Sequence, residues 1–268
     1  MARATLTDDL WKRLEPLIPK SRKNRHVQFA GRKPSEARRV LNGILFVLRT
    51  GVPWRSLPAT TDFPSGYTCR RRLQRWQRAG IWQRLFETLM AELQKRHQID
   101  WYRALVDSSS LRAPCGGAKT GPNPTDRRKL GSKHHLLTDG HGIPLSVILT
   151  EANRHDVTQL LPLLDKVPRV EGQSGAPRCR PEYVQGDRAY DSELHRREIK
   201  KKGVKPLLAK RRTAHGSGLG KTRWFIERSL AWLHQFRKLK TREEKQPANH
   251  EALLTIGCSV ICLRFLRR

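Results

Sequence analysis

Acidic side chains are scarce in this chain. Only 24 Asp and Glu stand against 54 Lys and Arg, leaving a formal charge of +30 over 268 residues. The pI is near 11.1. Such an excess points to a phosphate-rich partner, because each Lys or Arg brought to a phosphate releases condensed counterions. A purely basic structural protein is disfavoured, since 37% of the residues are hydrophobic and seven are Trp, enough for a substantial core. Cysteine is also sparse. Cys69, Cys115, Cys179, Cys258 and Cys262 form an odd set without a C-x-x-C pair, which argues against a disulfide framework or a zinc knuckle. Cys258 and Cys262 are four apart in an apolar helix-like segment and read as buried thiols. No apolar run approaches the roughly 18 residues of a membrane span. The first residues, Met1 to Thr5, lack an apolar signal core. The expectation is a soluble, cytoplasmic protein with no membrane partner.

Residues 1–100 read as helical. Leu6, Leu10, Leu14 and Leu17 recur at helical steps until Pro16 and Pro19 end the segment. A basic linker follows over Ser21 to Pro34 and reads as a mobile arm. Ser35 is the expected cap of a helix through Val40, Leu41, Ile44, Leu45 and Leu48, stopped at Gly51-Val52-Pro53. The next helix, Tyr67 to Arg78, puts Cys69, Leu73 and Trp76 on one face and Arg71, Arg75 and Arg78 on another, flanked by Arg70 and Arg72. Gly80 separates it from an amphipathic helix, Ile81 to Arg96. A helix, a turn with Gly and Pro, and an arginine-faced helix are compatible with a helix-turn-helix reader of the major groove; a solvated basic face on a helical bundle is the plainer alternative.

From Trp101 the pattern changes. Strands are expected at 102–106, 133–138 and 143–150, the last two joined by the turn Asp139-Gly140-His141-Gly142. A helix interrupted by Pro162 follows over 155–167, then a strand at 182–185, a helix at 191–202, a strand at 204–209, and helices at 223–239 and 248–266. The polar stretches 112–130 and 170–181 read as irregular loops. The fold class is therefore mixed α/β, a mixed sheet flanked by helices, with an all-α domain (1–100) preceding it (101–268).

Three acids stand where phosphoryl-transfer chemistry would want them. Asp107 ends the apolar run Ala104-Leu105-Val106, Asp187 ends Tyr183 to Gly186, and Glu227 lies in a helical pattern. If the first and fourth strands lie side by side and parallel, a right-handed crossover leaves Asp107 and Asp187 at neighbouring strand ends, where α/β sheets bind ligands. Carboxylates that close repel unless a cation lies between them, and Mg²⁺ suits all-oxygen ligands. On the third acid's helix, Ile226, Leu230 and Leu233 form an apolar stripe that would aim Glu227 inward, and Arg223 and Arg228 could hold phosphates beside the acids. An ordinary Glu–Arg pair within the helix is the plainer reading.

Seven ordered blocks carry a resemblance. They are Leu105 to Ser110, Gly131 to His135, Asp139 to Leu145, Ala152 to Asp156, Gly186 to Asp191, Arg223 to Arg228 and Trp232 to Leu239. Together they resemble the DDE transposases of bacterial insertion sequences, with an RNase H-like catalytic core. Gly43 to Trp54 is similar to the helical DNA-binding domain joined to that core. The resemblance covers almost the whole chain. It implies that Asp107, Asp187 and Glu227 are catalytic and hold Mg²⁺ or Mn²⁺, as two ions. It implies a partner in double-stranded DNA, at element ends and at the target, a dimer or higher oligomer on DNA, and a bacterial, nucleoid-associated location. Arg223 matches an arginine of the pattern. Two positions depart from it: Gly220 stands where a tyrosine is expected, and His234 where a lysine is expected, with Arg237 or Lys238 one turn on as substitutes at the DNA end. The expected DNA contacts are thus Arg70, Arg71, Arg72, Arg75, Arg78, Arg223, Arg228, His234, Arg237 and Lys238.

Two features suggest other chemistry. His215 to Thr222 nearly spells a P-loop, but His215 stands where Gly is required, so ATP binding is not expected. His134 and His135 are adjacent in a strand and point to opposite faces, so one is expected to face DNA and the other the sheet. Asp139, Asp156 and Asp191 read as turn, cap or salt-bridge residues, the latter two within reach of the triad's surroundings. A nuclease without strand transfer, and an inactive DNA-binding copy, remain the alternatives.

Overall fold

The computed structural model describes residues 6–19, 34–172, 175–212 and 220–267. The basic linker up to residue 33 and the P-loop-like stretch up to residue 219 lie outside them.

Four helices open the chain: α1 (Asp8–Leu14), α2 (Ala37–Thr50), α3 (Gly66–Arg78) and α4 (Ile81–Lys95). Ser35 does not cap α2; the N-cap is Glu36, which makes no side-chain capping bond, and the C-cap is Gly51, whose φ of 74° suits glycine. Ser65 caps α3 by accepting the Thr68 N–H. Apolar residues at helical spacing bury one face of each helix. On α3 these are Cys69, Leu73 and Trp76, leaving Arg71, Arg75 and Arg78 exposed.

The sheet is built from β1 (Arg103–Arg112), a short β2 (Gly121–Pro122), β3 (Leu130–Asp139), β4 (Pro144–Glu151), β5 (Tyr183–Gly186) and β6 (Lys205–Leu208). Its order is β4-β3-β1-β5-β6, with β2 on β3 beyond the end of β4. β1, β3 and β4 form an antiparallel meander, while β5 and β6 run parallel to β1. That is the mixed arrangement the sequence led us to expect, and the side-by-side placement of the first and fourth expected strands holds. β1 and β3 are longer than expected: each runs ten residues, and they pair from Ala104–Asp139 to Arg112–Gly131. The segment expected as one helix over 155–167 is a 3₁₀ turn (Asp156–Gln159) followed by α5 (Leu160–Asp165). After α6 (Glu193–Lys201) come α7 (Gly220–Gln235), a break at Phe236, α8 (Arg237–Lys240) and α9 (Pro247–Leu266).

One continuous apolar core runs through both parts of the chain. α9 is hydrophobic nearly all round, with 14 buried residues that include Cys258 and Cys262. It packs on α4 and α3 from one side and on β4 from the other, so the last helix joins the first hundred residues to the sheet. Polar groups reinforce that junction. The buried Glu244 carboxylate accepts from Trp54 Nε1 at 2.7 Å and from Asn249 Nδ2 at 3.2 Å, and lies 3.6 Å from Arg70. Among the described residues, no helix is long and apolar enough to cross a membrane.

Candidate active site

β1 and β5 are in register over Arg103–Tyr183, Ala104–Val184 and Leu105–Gln185. Two residues beyond the last pair in each strand stand Asp107 and Asp187. Asp107 is not the end of its strand, which continues for five residues. The close fit of the strands depends on Gly186, where a Cβ would meet Val106 Cγ1 at 2.9 Å. Asp107 Oδ1 accepts the Ser108 N–H at 2.8 Å, and Asp187 Oδ1 accepts the Ala189 N–H at 2.9 Å, capping a 3₁₀ turn. Both carboxylates are thereby held in single orientations.

α7 crosses this edge. Ile226, Leu230 and Leu233 bury its inner stripe, and Thr222 bonds the Gln185 side chain on β5. The helix so placed brings Arg223 and Glu227 to the two aspartates. The Arg223 guanidinium lies 3.4 Å from Asp107 Oδ2, 3.3 Å from Asp187 Oδ2 and 3.0 Å from Glu227 Oε1. One planar cation touches all three acids, so no two of the contacting oxygens are more than about 9 Å apart. Beside them a cleft of about 280 Å³ opens between Gln185, Asp187, Arg188 and Ile226.

Electrostatics follow from burial. The Asp107 side chain is only 14% exposed, and Glu227 is 56% exposed. Burial pushes the Asp107 carboxyl above its ordinary range; the Ser108 N–H and Arg223 oppose the shift, while Asp187 and Glu227 add to it. For Arg223, burial pulls downward, but the three carboxylates outweigh it and hold its pKa above the usual value. Tyr190 is buried behind the aspartates, and its hydroxyl is raised well above normal by burial first and then by Asp156, Asp107 and Asp187.

Asp156 reaches the same neighbourhood. It accepts from Ser108 Oγ at 2.9 Å and from Lys133 Nζ at 2.8 Å. It thus braces the residue next to Asp107, as its place near the triad suggested. Asp191 pairs with Arg196 and accepts the Arg211 N–H. Asp139 is a turn residue: buried, it accepts the N–H groups of Asp100, His141 and Ile143.

Several expected DNA contacts are placed elsewhere. Lys238 is 3% exposed, with Nζ 2.5 Å from Glu243, because α8 turns it inward. It therefore does not replace the missing lysine, whereas Arg237 is exposed. His234 is partly buried and its ring lies 6.3 Å from that of His134, so it faces the sheet rather than a DNA end. Arg228 lies over the rings of Trp224 and Trp232 and donates to the His141 carbonyl at 2.5 Å, fastening α7 to the β3–β4 turn. Arg223 is on carboxylates rather than presented to phosphate. Arg70 is turned towards Glu244, and Arg72 lies over the Trp76 ring at 5.6 Å. His134 and His135 are both fully buried, one against His250 Nε2 and the other against Thr150 Oγ1, each at 2.8 Å, so neither faces DNA.

The donor set suits a hard divalent cation: three carboxylates, one of them buried, gathered about a single positive group. Among the described residues no cluster of three Asp, Glu, His or Cys forms a ready-made ion site; at the triad the Arg223 guanidinium stands between the acids.

Comparison with known proteins agrees with this frame. A family model described as "Transposase DDE domain" matches residues 102–263, and one described as "Putative transposase of IS4/5 family" matches residues 6–86. The chain belongs to the DDE transposase family of bacterial insertion sequences, whose general activity is DNA cleavage and strand transfer. It is 54% identical over 166 residues to a Burkholderia cepacia protein described as "Putative transposase for insertion sequence element IS402", covering 62% of this chain and 77% of that one. It is 51% identical over 124 residues to a second B. cepacia protein of the same element, described as an uncharacterized 16.2 kDa protein, covering 46% and 84%. The Mos1 strand transfer complex is also similar, at 10% identity and a TM-score of 0.34 over 88% of this chain and 78% of that one, too slight a likeness to bear on the site.

Proposed function

We propose that this transposase cuts and joins DNA with Asp107, Asp187 and Glu227 as the residues that hold Mg²⁺ or Mn²⁺, two ions in all. Divalent ions bound there would supply the charge that activates an attacking oxygen and stabilises a leaving one. The observation that carries the reading is the meeting of all three carboxylates at one guanidinium, although 120 residues separate Asp107 from Glu227. Asp107 and Asp187 are fixed by backbone N–H bonds, while the more exposed Glu227 closes the site from α7. With ions held by the acids, Arg223 would no longer be needed to neutralise them and would be available to a DNA phosphate. The exposed arginines of α3, Arg71, Arg75 and Arg78, dock the terminal inverted repeat, and residues 1–100 serve as the DNA-binding part. In cleavage, water adds to the phosphorus of a phosphodiester at the element end as its P–O3′ bond breaks, leaving a 3′ hydroxyl and a 5′ phosphate; in joining, that 3′ hydroxyl attacks a target phosphorus in line and displaces the target's own 3′ oxygen as a hydroxyl. Synapsis of two ends requires at least a dimer.

The test is Asp107→Asn in the full chain, assayed on a terminal-repeat duplex with Mg²⁺. Nicking and joining fall by more than about 100-fold, since a charged ligand becomes a neutral one. Repeat binding persists and the melting temperature does not drop, because the change removes a buried charge. Wild-type cleavage by this variant would overturn the assignment. Joining of pre-cut ends by the unmodified protein separates it from a nuclease that only cuts.

A further inference from the structure

The stretch between β1 and β3, expected as an irregular loop, is an ordered turn held by one buried side chain. Asn123 is 5% exposed. Its N–H donates to the Lys129 carbonyl at 2.8 Å, and its carbonyl accepts the N–H groups of Asp126 and Arg128 at 3.2 and 2.9 Å. Its Oδ1 accepts the Thr125 N–H and hydroxyl. Arg112, the last residue of β1, closes the base on Asp126 at 2.6 Å. At the tip, two consecutive residues that are not glycine adopt the left-handed region, Arg127 at φ 48° and Arg128 at φ 59°. Glycine would take that backbone without strain, so two arginines there are an unfavourable choice for a mere connection. With Lys129 they form three adjacent exposed cations.

The position of this turn matters. It caps the end of β1, five residues beyond Asp107 and on the side of the sheet to which β1 and β5 point. At strand rise the base of the turn, at Arg112, is about 17 Å from the Asp107 backbone. A duplex with its reacting bond at the acids and its axis along β1 meets the turn about five base pairs away, given the 3.4 Å phosphate spacing along each strand.

We propose that the Asn123–Lys129 turn is a preformed clamp for the DNA phosphate backbone, placed about five base pairs from the bond that reacts. The proposal rests on the carboxylates marking that bond. Arginine forks match phosphate oxygens in paired hydrogen bonds, and a turn already rigid loses little freedom on binding. DNA is favoured over a second copy of the chain because so basic a surface offers few acids to meet three cations.

The test compares the full-length protein with the triple variant Arg127→Gln, Arg128→Gln, Lys129→Gln on duplexes of graded length carrying the reacting bond. Glutamine keeps the backbone demand and removes the charge, so thermal melting checks that the fold is intact. The slope of log affinity against log salt should become shallower by about 2 to 3, near 0.9 per phosphate contact. The loss should appear only on duplexes reaching past about five base pairs, and phosphate-ethylation interference should fade at that position. A second variant, Asn123→Ala, keeps all three charges but unties the turn, and should weaken binding on the same long duplexes. An unchanged salt slope and interference pattern would overturn the clamp. So would an unchanged slope with altered self-association, which would make the turn a subunit interface. Failure of the carboxylate assignment is read separately, in cleavage by Asp107→Asn, and the salt slope does not depend on it.

Discussion

Replacing Arg223 with alanine leaves three carboxylates facing one another without a cation. At 3.3 Å and an effective dielectric of 20, one ion-pair contact is worth about 5 kcal/mol, and about 1 kcal/mol at the dielectric of water. The Arg223 side chain is 43% exposed, so solvent screening brings each contact towards the lower figure. Part of even that is offset by the ordering of a long side chain. A net loss of about 2 kcal/mol follows, or a melting point lower by about 4 to 8 °C. The variant should also respond to Mn²⁺ differently. In the unmodified protein an incoming ion must displace the guanidinium, whereas in Arg223→Ala the acids are already vacant. Mn²⁺ should therefore raise the melting temperature of the variant more than that of the parent. Arg223→Lys should fall between, since one ammonium cannot span three carboxylates. Calorimetric melting in chelator and in graded Mn²⁺, without DNA, measures both effects. Equal melting points in chelator and equal shifts with Mn²⁺ would refute the idea that this guanidinium holds the acids together.

Two further perturbations probe the elements behind the site. Burial, aided by Arg242 and Lys238, pushes His250 down to about 3, below its unfolded value near 6.5. The stability linked to neutral His250 is complete above pH 6.5 and is lost as pH falls towards 3. The unfolding free energy of His250→Gln from urea titrations should thus decline less between pH 6.5 and 4 than that of the parent, by up to about 3 kcal/mol; parallel curves would refute this. Gly142 has φ 89°, and a Cβ there would lie 2.8 Å from both the Phe225 carbonyl and Ser229 Oγ on α7. Gly142→Ala should cost about 2 kcal/mol or more and reduce cleavage by shifting the helix that carries Glu227; a variant with parental melting and nicking would contradict that coupling.

The parts of the fold visible in the sequence are those with a short-range period. The alternation in Lys133–Thr138 and Ile143–Thr150, with Asp139 to Gly142 between them, revealed a hairpin. The apolar run into Asp107 and the run into Asp187 revealed two strands that lead to acids, although only the second ends there. Helices came from steps of three and four. What was missed depended on contacts between distant segments. The extension of β1 past Asp107 to Arg112 is supported by pairing with Gly131, not by any apolar pattern in Ser108 to Ser110. α9 reads as an apolar helix, but nothing local says that it would lie between β4 and α3–α4. Tyr190 lies within the motif Gly186 to Asp191, and only its burial behind the aspartates suggests a part in positioning them.

The amino-acid sequence alone determined the chain's charge, most of its order of strands and helices, and the choice of three acids to propose, because each is written in composition, local periodicity or ordered motifs. The tertiary structure decided which cations are taken up by the fold and which stay on the surface. Arg223 ended on the carboxylates, Arg228 on aromatic rings, His234 beside His134 and Lys238 on Glu243, while Arg71, Arg75, Arg78 and Arg237 stayed exposed. Those fates depend on how each helix is rotated and what packs against it, and a charged residue's neighbours in sequence do not report its neighbours in space.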